Sequence, residues 1–324
     1  MSIPVGYKCN QWGWFWKESD NSGPYFLGAD GLMHQSLTDA DLRASPVPVS
    51  GPLTDTELRA TPVETAETRF SPEYEVQHTG TLSGMPAKLY HILGSRSLGW
   101  ESTSLLGDAC DYLDTSKGLM NTPTGQQLYL VSTSASDAAA GTGARTVRVV
   151  YLDVAGLETV ATYTLAGTTP VPIMTGATFI QWMEVASLGT SEVSAGTIAI
   201  TSTAGAATVA TTFEQIRAGQ NRSLSGRYKV PSNCHAHLLH WDSAAIGGTM
   251  DVRLRATVFS DDNSISSVYH FLDRVFLAAG QLATQSLEYR ELPANCVVKI
   301  SAIPGGAPAG NKLDVSFSVI CMAN

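Results

Sequence analysis

Charge is scarce in this chain. Lysine and arginine number 20 and aspartate and glutamate 29, together 15% of 324 residues, and the balance of −9 comes without any block rich in lysine or arginine. Binding to a phosphate backbone needs clustered positive charge, so nucleic acid is not an expected partner. No apolar stretch approaches the roughly 18 residues of a membrane helix. The start, Met1-Ser2-Ile3-Pro4-Val5, has no basic region ahead of an apolar one. The expectation is a chain made and folded in the cytoplasm with no membrane partner. Cys9, Cys110, Cys234, Cys296 and Cys321 are an odd number, scattered, with no Cys-x-x-Cys pair. Neither a zinc knuckle nor a disulfide framework is written in that spacing. Buried thiols are the default, and a bridge from Cys234 to Cys296 or Cys321 stays open if strands bring them together.

What the chain does have is small and β-forming. Apolar residues reach 44%, and Thr, Ser, Ala, Gly and Val abound, the composition of a folded β protein. Near the front one phrase occurs twice: Leu37-Thr38-Asp39-Ala40-Asp41-Leu42-Arg43-Ala44-Ser45-Pro46-Val47, then Leu53-Thr54-Asp55-Thr56-Glu57-Leu58-Arg59-Ala60-Thr61-Pro62-Val63. Thr38 and Thr54 suit helix N-caps, and Asp41 and Glu57 stand where a capping-box side chain reaches back. Leu37 with Leu42, and Leu53 with Leu58, occupy hydrophobic-staple positions. Pro46 and Pro62 then end each short helix and continue as extended chain. Such a unit is too short and too poor in apolar residues to stand alone, so it needs a neighbour to pack on; a solvated proline-rich linker is the plainer alternative.

Four segments follow from the pattern. Residues 1–36 are aromatic-rich, and Trp12, Trp14 and Trp16 alternate so that one strand would show three indoles on one face. Burial against the rest of the chain or a sister subunit is favoured there over carbohydrate binding. Residues 37–69 are the repeat arm. Residues 70–225 carry short alternating runs (127–132, 145–153, 158–165, 178–188, 196–202), and 226–324 a second set (226–230, 236–241, 249–259, 268–277, 296–302, 312–321). The fold class expected is all-β: two antiparallel β-sandwich domains, of jelly-roll or immunoglobulin-like type, preceded by an extended arm with short helical turns. Thr168-Thr169-Pro170-Val171-Pro172 reads as a turn and edge segment, because proline cannot sit in a central strand.

The run Ser134-Ala135-Ser136-Asp137-Ala138-Ala139-Ala140-Gly141-Thr142-Gly143-Ala144-Arg145-Thr146-Val147, then Tyr151-Leu152-Asp153 and Thr164-Leu165-Ala166-Gly167-Thr168-Thr169-Pro170-Val171, resembles β-rich structural proteins of tailed-bacteriophage virions. Ile216-Arg217-Ala218-Gly219-Gln220-Asn221 and Tyr228-Lys229-Val230-Pro231 are similar to the same group, and the arm repeat resembles spacers in phage virion proteins. The resemblance covers roughly residues 37–324. It implies a virion component of the head surface, neck or tail, with no catalytic residue to carry over. Where relatives tend to have a charged, glycine-containing turn after Tyr-x-Val-Pro, this chain has Ser232-Asn233-Cys234-His235.

Few residues suggest chemistry. His235 and His237 share a strand face, while His240 points the other way unless the strand bends; two ligands do not make a metal site, and strand histidines that are hydrogen-bonded or solvated are the expectation. No cofactor is expected. Gly141-Thr142-Gly143-Ala144-Arg145 lacks the Gly-Lys-Ser/Thr ending of a phosphate loop and precedes a strand, so a hairpin turn is expected. Asp261-Asp262-Asn263-Ser264 reads as a turn and not a calcium loop. Glu184, Glu192 and Glu288 show no pairing of glycosidase type, and an enzyme is not expected. The sequence reading is a non-enzymatic virion protein working as a homotrimer, anchored by Trp12, Trp14, Trp16, Leu37, Leu42, Pro46, Leu53, Leu58 and Pro62 to capsid, portal or neck. The alternative is a receptor-binding tail protein that holds host glycan through Tyr269 and the 304–311 loop, and a metal- or sugar-dependent hydrolase is a third class.

Overall fold

The computed structural model describes residues 7–9, 15–17, 25–27, 33–35, 76–77, 79–82, 85–97, 107–108, 121–205, 207–208, 211–259, 263–305 and 312–323. The chain divides into two compact units, Met1–Arg69 and Phe70–Asn324.

The first unit holds four short strands: β1 (Tyr7–Cys9), β2 (Phe15–Lys17), β3 (Tyr25–Leu27) and β4 (Met33–Gln35). They pair antiparallel in the order β1-β2-β3-β4. These four strands form a meander. Trp16 is on β2 opposite Lys8. Trp12 and Trp14, and both copies of the repeat with Leu37, Leu42, Pro46, Leu53, Leu58 and Pro62, lie outside the described residues.

The second unit is nearly all β. Its strands are β5 (Thr81–Leu82), β6 (Met85–Ser97), β7 (Gly107–Asp108), β8 (Tyr129–Ser132), β9 (Ala144–Leu152), β10 (Glu158–Thr164), β11 (Val171–Pro172), β12 (Phe179–Leu188), β13 (Ile198–Thr201), β14 (Thr212–Ile216), β15 (Arg227–Lys229), β16 (Cys234–Ile246), β17 (Thr249–Val258), β18 (Ile265–Leu277), β19 (Leu282–Leu292), β20 (Val297–Gly305) and β21 (Lys312–Ala323). Two sheets, β10-β9-β12 and β11-β8-β13-β14, bury one core that includes Leu130, Val147, Val149, Met183, Ile198 and Ile216. Two others, β15-β20-β17-β18 with β7 beside β20, and β19-β16-β21-β6-β5, bury a second core around Trp241, Phe317, Tyr228, Leu254 and Ile300.

The alternation behind these layers is plain in β17. Met250, Val252, Leu254, Ala256 and Val258 are buried, and the residues between them, Asp251 to Thr257, are half-buried on the other face. β21 follows the same rule up to Phe317. Beyond it both faces are covered, because Val76, Ala87 and Leu239 close over Ile320 and Met322 on the outer side. Val171 and Pro172 sit at the edge of their sheet, opposite Leu130 and Tyr129, where a proline costs no interior hydrogen bond.

The sheets do not divide at residue 225. β6 pairs with β21 from Lys312 opposite Ser97 to Met322 opposite Ala87, and β7 pairs with β20. The second pair of sheets therefore takes strands from both sides of the first pair in sequence. The physical reason is that β21 is too apolar to be an edge and needs a partner on each side, which β16 and β6 supply.

Candidate functional site

Where the two pairs of sheets meet, β6, β10, β16 and β21 enclose a cavity of about 510 Å³ whose walls include Lys88, Tyr90, Leu157, Glu158, Cys234 and Cys321. Junctions of this kind are preferred ligand positions. The Tyr90 hydroxyl stands 2.8 Å from each Glu158 carboxylate oxygen, and Lys88 Nζ donates to Oε1 at 3.1 Å. Burial, and then the charge and hydrogen bond of Glu158, push the Tyr90 hydroxyl far above its ordinary range. Tyr90 also packs on Trp182 at 5.3 Å and on Tyr228 at 5.5 Å between ring centres. A proton held this firmly is suited to fixing one sheet pair against the other and not to acid–base work near neutrality. Nearby, the fully buried Gln181 amide bonds both the N–H and the C=O of Lys229, in the manner of one more strand residue.

A buried ion pair lies on the same seam. Glu214 on β14 is 1% exposed; its Oε1 accepts the Gln215 N–H at 3.1 Å and its Oε2 stands 4.0 Å from Arg227 Nη2. Burial pushes the Glu214 carboxyl up to about 7, against the opposing effects of the Arg227 charge, the Gln215 N–H and the Ser225 hydroxyl. A folded carboxyl that keeps its proton to about 7 gives stability that is fully present below the unfolded value of about 4.5 and is lost as pH rises through about 7. The span corresponds to about 3 kcal/mol. Urea midpoints at pH 5 and pH 8 should differ in the wild type and converge in Glu214→Gln; an unchanged difference in the variant would assign the pH dependence elsewhere.

The residues picked out by sequence fall as follows. His235 and His237 lie together on the outer face of β16, rings 5.6 Å apart and nearly perpendicular. His240 joins that face after all: β16 advances from Leu238 to Trp241 while β21 advances only from Val319 to Phe317, and this bulge reverses the alternation. His240 Nε2 is 3.3 Å from Ser318 Oγ, which is also 2.9 Å from His91 Nδ1. Among the described residues no group of three or more His, Cys, Asp or Glu side chains is placed to hold a metal. Glu184 pairs with Arg148 at 2.9 Å. Phe259 N–H bonds Ser264 C=O between the paired strands β17 and β18, while Asp261 and Asp262 lie outside the described residues.

The Gly141–Gly143 stretch is not a hairpin turn, because β8 and β9 belong to different sheets. The stretch leads into Ala144, whose N–H is one of four donors that cradle a carboxylate of the protein's own. Asp137 is fully buried; its Oδ1 accepts the N–H of Ala144 (2.8 Å) and Ala195 (2.9 Å), and its Oδ2 accepts the Gly196 N–H (2.8 Å) and the Ser132 hydroxyl (2.6 Å). A Cβ on Gly143 would stand 2.2 Å from Oδ1, so only glycine lets the backbone close on the carboxylate.

The surface feature that sequence reasoning missed is β18. Eight of the 14 exposed large apolar side chains among the described residues fall between Ile246 and Leu282, including Phe271, Phe276 at 66% and Leu282 at 71% exposure. β18 is an edge strand. Arg253 lies over Phe271 and Arg274 over Phe276, and both arginines bond Asp251. Burial raises the Asp251 carboxyl, but the bonds and charges of Arg274 and Arg253 more than offset this and hold it below the ordinary carboxylate value. The sequence reading placed a strand at 268–277, but nothing in it marked these apolar side chains as exposed.

Comparison by sequence finds no matching protein family and no matching characterised protein. Among solved structures, the chain is similar to that of infectious bursal disease virus Gx strain, at 10% identity over 82% of this chain and 79% of that chain, with a TM-score of 0.23. The Gt strain of the same virus gives 8% identity over 74% and 76%, with a TM-score of 0.18. Overlap at such scores does not establish a shared fold.

Proposed function

We propose that this chain is a non-enzymatic structural protein of a tailed-phage virion, held on the head surface or neck as a symmetric oligomer through its N-terminal unit. In this reading each pair of sheets is a β-sandwich, and the protein is added to the particle in the host cytoplasm. The observation that carries it is the shortness of β1 to β4. Four strands of three residues each fall below the usual strand length, and small sheets of this kind gain stability by packing on a partner. The resemblance of residues 37–324 to phage virion proteins supplies the setting. A neighbouring subunit fits the exposed β18 face, since contiguous apolar surface of this kind marks protein contact sites.

Light scattering on the full chain and on residues 70–324, which form a compact unit with their own cores, tests the reading. A trimer that becomes a monomer on removal of residues 1–69 is expected; two monomers would sink it. The runner-up, a receptor-binding tail protein, predicts glycan-array binding that is lost when Tyr269 is replaced by serine.

A further inference from the structure

We propose that Cys234 and Cys321 form a paired thiol site that peroxide converts to a cross-link between β16 and β21. Both are free thiols and both line the cavity at the seam. In the register of these strands Cys234 faces Ala323 and Cys321 faces Ala236, so the two cysteines share a face on adjacent strands and stand on the diagonal. Cys296, the other partner that the sequence left open, is instead fully buried in the core of the second pair of sheets and lines no part of this cavity.

Diagonal positions start about 2 Å wider than a disulfide prefers, so the backbone has to move for the bond to close. Cys234 is placed to close that gap. It is the first residue of β16, directly after a turn closed by its own N–H on Pro231 C=O, and the cavity beside it offers no packing against the shift.

Exposure sets the order of the steps. Cys234 is partly exposed and meets peroxide first; its sulfur takes one peroxide oxygen to become a sulfenic acid, and the other oxygen leaves as water. Cys321 is buried, and burial holds it as a protonated thiol, which spares it from the oxidant. Its sulfur then attacks the Cys234 sulfur, and the displaced hydroxyl leaves with the Cys321 proton as a second water. One peroxide is reduced and two thiols are oxidised. The product ties the start of β16 to β21 at the place where the two pairs of sheets meet. The cross-link does not rest on the virion reading, since it would form in a monomer or a trimer alike.

The test uses the full chain, reduced, treated with hydrogen peroxide, alkylated and digested. Expected are one peptide joining Cys234 to Cys321, a mass loss of about 2 Da that dithiothreitol reverses, and a melting temperature raised by about 5 °C. In Cys234→Ser the linked peptide and the temperature shift should both vanish, while the reduced variant melts as the reduced wild type does. Alkylation of Cys321 after peroxide has converted Cys234 to its sulfinic acid, or a cross-link from either residue to a different cysteine, would overturn the proposal.

Discussion

Asp137→Ala is expected to lower the unfolding free energy by about 4–6 kcal/mol, a large share of the 5–15 kcal/mol of a typical domain. Three backbone N–H groups from two separate segments, and the Ser132 hydroxyl, converge on this one carboxylate. Deleting it leaves three buried donors and the part-buried Ala195 N–H facing one another, each buried one carrying a penalty of about 1–3 kcal/mol, partly relieved by the end of the carboxylate's own desolvation. The glycines cannot rescue the site, since the segments are already at contact distance around it. Asp137→Asn keeps one acceptor oxygen and turns an NH₂ toward either Gly196 N–H or the Ala144 and Ala195 pair, so about half the loss is expected. Urea unfolding of the three proteins reads the effect. An alanine variant within 1 kcal/mol of wild type would mean that water replaces the carboxylate and that the cradle is not a structural nucleus.

The strands of this protein were legible where one face meets core and the other meets solvent. β10 and β17, and β21 as far as Phe317, alternate, and the observed limits of these strands and of β9 and β12 lie within a few residues of the sequence reading. Three strands were illegible for separate reasons. β14, Thr-Phe-Glu-Gln-Ile, is buried throughout, and its buried Glu214 and Gln215 break any apolar run. β19 is a polar edge. β6 carries Pro86 and Gly94, which read as punctuation, yet it is the strand that completes the last sheet. The nesting of one pair of sheets inside the other followed it out of sight, because the partners of β21 are far away along the chain.

The site was legible only in its parts. Gly141 and Gly143 read as a hairpin turn, and nothing in their spacing named Asp137 as the group that Gly143 approaches. Alternation gave the shared face of His235 and His237; one extra residue in β16 put His240 beside them, and a bulge leaves no mark in composition. Tyr90 and Glu158 meet across the seam from 68 positions apart, a distance no motif spans. The cysteine pairing shows the limit most sharply. Sequence allowed Cys234 to reach Cys296 or Cys321, and only the register of β16 on β21 selects between them.

Arg227→Met is expected to cost about 3–5 kcal/mol at pH 8, because it strands a buried carboxylate. The guanidinium donates to Phe213 C=O at 3.0 Å and to Asn121 C=O at 3.3 Å, lies 4.7 Å over the Phe179 ring, and faces Glu214. Methionine restores the volume and none of the donors. The cost should depend on pH in a direction fixed by Glu214. Below about 5 that carboxyl is protonated in the folded state with or without the arginine, so only the donors and the ring contact are lost. As pH rises past about 7 the wild-type carboxylate ionises against Arg227, while the variant has to hold its proton higher still, and the gap between the two proteins widens. Adding Glu214→Gln to Arg227→Met removes the stranded charge and should recover part of the loss at pH 8 but little at pH 5. A gap between wild type and Arg227→Met that is the same at both pH values would show that the arginine acts through packing and its two carbonyls alone, and that the ion pair across the seam contributes nothing to folding.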